Sequence, residues 1–393
     1  MPPQPWRARR PGSGPWVMTC ISRDRTVAVE KLLSVILEQS LTDLEHALPG
    51  SLQVLRLAAA IPPDTIPWPW LEELTKRTNP EVFEPTPQFL KGRWTRIRRT
   101  LEGRDLITEG RHPGTTGRMH RLVVDHLKTH NPPETDLVTK FIIHRAQKLG
   151  TDFTQAPELW EIDSITDALP DILTRKPELL EQVPDFIRHV ALRYATDIRI
   201  AVMLQNLTQQ ISGTSARTSF LAHTLLGDAL QNTDPAQARE SYQRSLAITR
   251  YLAEIWPEDL QPRRDFTVAL INVAGMLKNS DPGRALKLYE ESLRISRELA
   301  AQLPGNLQAL WDLGVAAARL AQLLPTEDPE RIPLWREAAI SLRDALAIQP
   351  ENKELGRMSY YVALYYADCD PDDRDEWLAY AAELAERFGF GKQ

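Results

Sequence analysis

The dipeptide Asp-Pro occurs at Asp234-Pro235, Asp281-Pro282 and Asp328-Pro329, a spacing of 47 residues taken twice. A period of that length marks a supersecondary unit that cannot bury its apolar face alone and must stack on copies of itself. Other positions keep the step. Gly227 maps to Ala274 and Ala321, Leu230 to Leu277 and Leu324, and Ser245-Leu246 to Ser292-Leu293 and Ala339-Ile340. Tyr242 maps to Tyr289, and Pro257 to Pro304. In the third unit Trp335 and Pro350 fall one residue off the step.

Each unit reads as two helices. Phe266, Leu270, Val273, Ala274 and Leu277 recur at helical spacing in the first helix of the middle unit. A tight turn follows (NTDP, NSDP or TEDP), in which Asp caps the next helix and Pro takes its first turn, where an N–H has no partner to lose. The second helix carries Ala285, Leu288, Tyr289, Leu293, Ile295 and Leu299, and Pro304 stops it. The third unit is degenerate, with Ile332 and Pro333 where a small residue is expected. Two further helical runs, Leu355–Ala367 and Arg374–Phe388, flank the acidic DCDPDD and are expected to cap the stack.

These units resemble tetratricopeptide (TPR) repeats. The residues that carry the resemblance are Gly227, Ala238, Tyr242 and Ser245, then Ala274, Ala285, Tyr289 and Ser292, a small–small–aromatic–small pattern. The unit departs from the family in length, 47 residues against 34 in the usual repeat. The resemblance covers roughly residues 215–390 and implies a superhelix of stacked helix pairs with an extended protein-binding surface.

The front of the chain has a different character. SLQVLRLAAA, residues 51–60, is a compact apolar helix broken by IPPDTIPWPW, and Trp70–Arg77 restarts helix. Gln88–Leu101 reads as a basic helix with Leu90, Trp94, Ile97 and Leu101 on one face. Leu106-Ile107-Thr108 and Arg118-Met119 can pair as strands around the turn-rich HPGTTG, and helix resumes over His120–His130. Three helices, a hairpin and a helix make a winged-helix order.

Charge is concentrated in this region. From Lys91 to Arg121 nine bases face three acids, a local +6 in a chain whose net charge is −6. Residues 1–30 add +3, so the remainder sums to −15. A globally basic nucleic-acid-binding protein is excluded, whereas a local basic surface is not. Arg96, Arg98 and Arg99 on the basic helix, with Arg111 and Arg118 on the hairpin, are the candidate phosphate contacts of a DNA-binding reading.

The front half is also similar to the winged helix that follows the nucleotide-binding core in NB-ARC and related STAND signalling ATPases. The resemblance rests on LRLAAAIPPDTIPWPWLEEL at residues 55–74. It rests also on Met119-His120-Arg121-Leu122-Val123 after Asp105-Leu106-Ile107, where the family carries a Met-His-Asp motif. Arg121 stands in place of the Asp. The resemblance covers about residues 25–130 and implies that His120 approaches the β-phosphate of ADP when a nucleotide-binding core is supplied.

No G-x-x-x-x-G-K-S/T occurs in the chain, so the phosphate-cradling loop of such a core is not in it. No G-x-S-x-G elbow and no H-E-x-x-H occur either. His126 and His130 stand four apart with no third ligand at metal spacing. Cys20 and Cys369 cannot form a disulfide framework, which suits a reducing compartment. No apolar run is long enough to span a membrane, and the first 20 residues lack the apolar core of a secretory signal.

The chain is therefore expected to be mainly α: a disordered tail over 1–24, a small winged-helix domain with one β-hairpin over 25–130, a helical adaptor over 131–214, and a TPR-like α-solenoid with its cap over 215–393. The expected function is that of a non-enzymatic, cytoplasmic protein-interaction and regulatory module, with no cofactor of its own. It would be the winged-helix and TPR sensor part of a STAND/NB-ARC-type signalling protein, with a protein partner on the TPR surface and an ATPase core in cis upstream or in trans. The alternative is a winged-helix DNA-binding transcriptional regulator with a TPR sensor.

Overall fold

The computed structural model describes residue 32 and residues 34–390, apart from 87, 91, 152–157, 194–197 and 211–214. The expected tail over 1–24, with Cys20, lies outside the described residues, as does Lys91 of the basic segment. The protein is mainly α, with one small sheet among the described residues. It divides into two compact units, one holding the chain up to Ile142 with Glu158–Ala168, the other holding Ile143–Pro157 with Leu169–Gln393. The division falls inside two helices of the 131–214 stretch, α6 (Thr135–Thr151) and α7 (Leu159–Arg175).

In the first unit, a helix α1 over 34–47 is followed by α2 (Ser51–Ala59), β1 (Ile66–Pro67), α3 (Trp68–Thr78), α4 (Trp94–Gly103), β2 (Ile107–Glu109), β3 (Thr116–Met119) and α5 (Arg121–His130). The expected hairpin is present, with Ile107 opposite Met119 and Thr108 opposite Arg118. The sheet has a third strand. Ile66 and Pro67 pair with Gly117 and Thr116, so the strand order is β1-β3-β2. Pro67 cannot donate to a ladder, and it sits where a proline is tolerated, on an edge strand.

The basic helix is shorter than the sequence suggests. It starts at Trp94: ahead of it Thr86 and Phe89 form an isolated bridge, and Gly92 takes a φ of +75°. A Cβ at Gly92 would lie 2.6 Å from the Phe83 carbonyl oxygen, so both the left-handed backbone and the close approach require glycine.

The core of this unit is built around Trp70, fully buried at the third position of α3, directly after Pro69. Its ring meets Phe141 edge-on at 5.8 Å and Trp160 at 6.3 Å, and its indole N–H donates to Glu161 at 3.3 Å. Burying a tryptophan of this kind contributes several kcal/mol, and giving its polar edge a partner avoids the cost of an unsatisfied donor.

The second unit continues with α8 (Pro184–Arg193), α9 (Ile198–Gln210) and four helix pairs. These are α10 (Ala216–Leu230) with α11 (Pro235–Ile255), α12 (Leu260–Leu277) with α13 (Pro282–Gln302), α14 (Leu307–Leu323) with α15 (Arg331–Ile348), and α16 (Lys353–Cys369) with α17 (Arg374–Phe388). Each helix packs on its predecessor and successor, and α12 also meets α14 directly. The first helices are capped by Ser215, Asp259, Asn306 and Asn352, whose side chains accept from backbone N–H groups two or three residues on. Asp234 and Asp281 do the same for α11 and α13, each before a proline. Each such cap is worth about 1 kcal/mol.

The third turn departs from this pattern. Asp328 accepts from the Glu330 N–H and caps no helix; α15 starts at Arg331 with no side-chain cap. From there the buried positions run at a step of 46. Tyr289 is matched by Trp335, Ser292 by Ala338, and Leu299 by Ala345. The same step carries Ala309, Ala317 and Ala321 of α14 to Leu355, Ala363 and Ala367 of α16. One residue fewer between α14 and α15 thus explains why Trp335 and Pro350 fall off the 47-residue period, and Ile332, at the exposed head of α15, replaces no buried alanine.

Candidate functional site

The basic surface of the first unit is the first candidate. Its arginines do not converge on one spot. Arg98 lies over the Trp68 ring at 4.8 Å, donates to Glu102 at 3.0 Å, and reaches the Gly114 carbonyl oxygen at the hairpin tip at 2.9 Å. Arg118 pairs with Asp64 at 2.9 Å. Arg111 lies 3.6–3.7 Å from Asp167 and Asp163 of α7, and His112 meets Asp163 at 2.8 Å. Arg96 lies over the Phe89 ring at 5.3 Å. Arg99 is exposed, and no described residue pairs with it. Three of the five candidate arginines are therefore engaged with carboxylates of their own unit, and the local +6 is partly neutralised by acids that are distant in sequence.

His120 is exposed at the head of α5. Its Nδ1 accepts from the Leu122 N–H at 3.2 Å, so the side chain acts as the helix cap. An accepting Nδ1 requires a proton on Nε2 in the neutral ring.

His126 and His130 do come together, stacked at 4.4 Å, with Ser34 of α1 at 3.1 Å from His126 Nδ1. His126 Nε2 is buried without a partner. Burial, and then the neighbouring His130, push the pKa of His126 down, against a smaller opposing pull from Glu38. Among the described residues, no group of three or more His, Cys, Asp or Glu side chains is arranged to hold a metal ion.

The repeat array is the second candidate. Its pairs are joined by a recurring ionic contact. Arg217 of α10 reaches Asp265 of α12 at 3.3 Å, and Arg264 of α12 reaches Asp312 of α14 at 2.6 Å. Gln261 and Gln308, one turn before each aspartate, donate to the other carboxylate oxygen at 2.8 and 2.9 Å. Arg217 and Arg264, Gln261 and Gln308, and Asp265 and Asp312 each stand 47 residues apart, so the period that reveals the repeat also marks this contact. In the next unit Trp311 takes the arginine's place. Burial raises the pKa of both aspartates and the arginine beside each opposes it.

At the head of the array, the Tyr242 ring lies against Gly227 and its hydroxyl donates to Asp228 at 2.6 Å. The other oxygen of Asp228 accepts from Arg188 of α8 at 3.0 Å. Burial, and then Asp228, push the Tyr242 pKa far up, so the phenol stays a donor. Burial works against the Arg188 charge, and Asp228 more than offsets it, so its pKa is raised.

At the far end, the hydroxyl of the fully buried Tyr366 has Asp373 at 2.7 Å and Asp370 at 3.0 Å as acceptors for its one proton, and accepts from Arg336 at 2.6 Å. Tyr365 stacks on Trp335 at 5.1 Å, and Tyr361 stays half exposed. A groove of about 270 Å³ lies between α11, α12 and α13, with Phe266 and Ile295 in it. Of its cations, Arg263 and Arg294 are held by Glu298, and Arg250 lies over the Phe266 ring at 5.7 Å.

No helix among the described residues is long and apolar enough to cross a membrane. No protein-family model matches the chain, and no curated protein matches it. Among solved structures it is similar to the crystal structure of a STAND (signal transduction ATPase with numerous domains) protein with a tetratricopeptide repeat sensor from Pyrococcus horikoshii. The identity is 12% and the TM-score 0.27, over 88% of this chain and 58% of that one. The chain thus spans less than two thirds of the length of that protein.

Proposed function

We propose that this chain is a non-enzymatic protein-interaction and regulatory module, the winged-helix and TPR sensor part of a STAND/NB-ARC-type signalling protein. A protein partner is captured on the repeat array, and the winged helix passes that event to a nucleotide-binding ATPase core, in cis or in trans. The observation that carries this reading is the run of helix pairs α10–α17, in which each helix packs on its sequence neighbours, with α12 also on α14 and α10 also on α8. Stacking of that kind produces a long surface from a short period, the architecture with which repeat proteins bind other proteins. The order α2, β1, α3, α4, β2, β3 supports a winged helix in the first unit. His120 would meet an ADP phosphate only when an ATPase core is supplied, and its exposure at the head of α5 supports that role.

A second reading, a DNA-binding regulator, is favoured by one observation: Arg96 and Arg99 stand one turn apart on the exposed side of α4. One experiment separates the two. The purified full chain is tested against DNA at low salt and against a purified candidate partner by titration. Binding of the partner at fixed stoichiometry, lost in Tyr242→Ala and kept in the Arg96→Ala, Arg99→Ala double variant, supports the interaction module. Salt-sensitive DNA retention that disappears in the double variant supports the regulator and counts against the first reading.

A further inference from the structure

The 47-residue period sets two buried tyrosines in matching places and gives them different surroundings. In the first pair the Tyr242 hydroxyl donates to Oδ1 of Asp228 at 2.6 Å, and Oδ2 of the same carboxylate accepts from Arg188 at 3.0 Å. A tyrosine hydroxyl and a guanidinium thus hold one carboxylate between them. In the second pair the tyrosine is Tyr289, and the residue 47 on from Asp228 is Gly275, which has no side chain to offer. The Tyr289 hydroxyl lies beside that glycine. A Cβ on Gly275 would stand 3.7 Å from the phenol oxygen, and no atom of another helix would come closer. Tyr289 is only 3% exposed, yet among the described residues its hydroxyl has no hydrogen-bond partner. In the third pair Trp335 stands in the tyrosine's place, so the second pair is where a hydroxyl meets a glycine.

The guanidinium has a counterpart as well. The ionic contacts between pairs link a residue to the one 48 further on, Arg217 to Asp265 and Arg264 to Asp312. The same step takes Ile271, one turn before Gly275 on α12, to Arg319 on α14, and α12 packs directly on α14. Arg319 is exposed, and among the described residues it makes no ion pair. Burial raises the pKa of the Tyr289 phenol and Arg319 opposes it, as Arg188 does for Tyr242. Burial dominates, so the phenol keeps its proton and remains a donor. A buried donor without an acceptor is costly, and an ionised acceptor shared with a guanidinium is the strongest remedy. Gly275 is half-buried, so the place between the three residues is reached from solvent.

We propose that Gly275, Tyr289 and Arg319 form a carboxylate-binding site, in which a carboxylate of a bound peptide takes the place that Asp228 fills in the first pair. The Tyr289 hydroxyl donates to one of its oxygens and the Arg319 guanidinium to the other. An acidic side chain and a chain end present the same two oxygens, and the site accepts that group. This rests on the partner-capture reading for the source of the carboxylate and names the chemistry by which the array recognises it.

The test is carbon-13 NMR of the full chain with labelled tyrosine rings, the Tyr289 signal being the one lost in Tyr289→Phe. Three probes are titrated. N-acetylaspartic acid amide carries its carboxylate on a side chain, N-acetylalanine carries it at the chain end, and N-acetylalanine amide has none. The Tyr289 signal is expected to shift saturably with either acid and not with the uncharged amide, and the tighter acid identifies the source. Arg319→Gln, at an exposed position, should weaken that binding by about tenfold or more, the loss of one charge-assisted hydrogen bond. Gly275→Asp supplies its own carboxylate, so it should shift the Tyr289 signal without any probe and abolish the response. The site is overturned if neither acid moves the signal or if the amide moves it equally. It is overturned also by an unchanged affinity in Arg319→Gln or by a response kept in Gly275→Asp. The probes involve no protein partner, so their failure leaves partner capture standing, and failure of capture leaves the site standing.

Discussion

Arg264 donates from Nε to Oδ2 of Asp312 at 2.6 Å, from one helix pair to the next. Asp312 is almost fully buried, whereas Arg264 is about one-third exposed. The carboxylate therefore carries the larger desolvation cost, in keeping with its raised pKa. Removing the cation leaves an uncompensated charge inside, so Arg264→Leu is expected to cost about 2–3 kcal/mol. Asp312→Asn removes the ion pair together with the charge whose burial is costly, and is expected to cost less than about 1 kcal/mol. Urea unfolding followed by helical circular dichroism checks the order. Equal losses would mean that the ion pair, and not the burial, dominates.

The same residues set a pH dependence. Asp265 and Asp312 both have folded pKa values raised above the ordinary 3.8, chiefly by burial. The folded state then binds more protons than the unfolded one between the two values, so this contribution is full below pH 3.8 and is lost as pH rises through the raised folded value. Replacing both with Asn should flatten the stability profile of the array over that window. Thermal unfolding at a series of pH values measures it, and an unaltered profile would refute the assignment.

His126 acts in the opposite sense in the first unit. Its folded pKa is depressed below 6.5, first by burial and then by His130. The unfolded chain binds the extra proton, so the contribution is present above pH 6.5 and is lost as pH falls through the depressed value. Because Ser34 of α1 meets His126, α1 should loosen first on acidification. Faster hydrogen exchange over residues 34–47 below pH 6.5, absent in His126→Gln, is the expected result.

Gly227 lies so close to Tyr242 that a Cβ would stand 2.5 Å from a ring carbon. Gly227→Ala should thus destabilise the first pair by about 1–3 kcal/mol despite alanine's better helix propensity. Tyr242→Phe keeps the ring and should not rescue it. A Gly227→Ala chain as stable as the parent would mean that the α10–α11 interface yields.

Arg98 and Arg99 are neighbours in sequence with different expected effects. Arg98→Ala breaks contacts to Trp68, Glu102 and the Gly114 carbonyl and should lower the melting temperature of the first unit. Arg99→Ala should leave stability within about 0.5 kcal/mol and change only the affinity for anionic polymers. Differential scanning calorimetry and the salt dependence of elution from heparin distinguish the two.

Much of the array was legible because its signals are local and periodic. The caps at Asp234 and Asp281, the prolines after them and the paired tyrosines all follow one step. Asp328 misled for the same reason: it keeps the dipeptide at 47 while the helix behind it has moved to 46. The strand at Ile66-Pro67 was missed because two residues amid four prolines give no alternation to read, and only its pairing with β3 defines it. The basic helix was drawn too long because Gln88–Arg93 continue its pattern, whereas Gly92 breaks the backbone. The partners of Arg111 and Arg118 were invisible since Asp163, Asp167 and Asp64 are brought to them by folding alone. The Arg217–Asp265 and Arg264–Asp312 contacts, by contrast, could have been found: their residues obey the same step of 47 as the Asp-Pro turns.

The residue lost between α14 and α15 makes the array a chain of two dialects. The helices ahead of Asp328 share one grammar and are expected to exchange as cassettes, whereas those behind it are shifted by one residue. A graft that carries α15 behind an earlier turn would arrive rotated by about 100°, the angle of one residue in a helix. Its tryptophan would then meet solvent where the host expects a buried ring, so a single codon decides which recombinants of this repeat can fold.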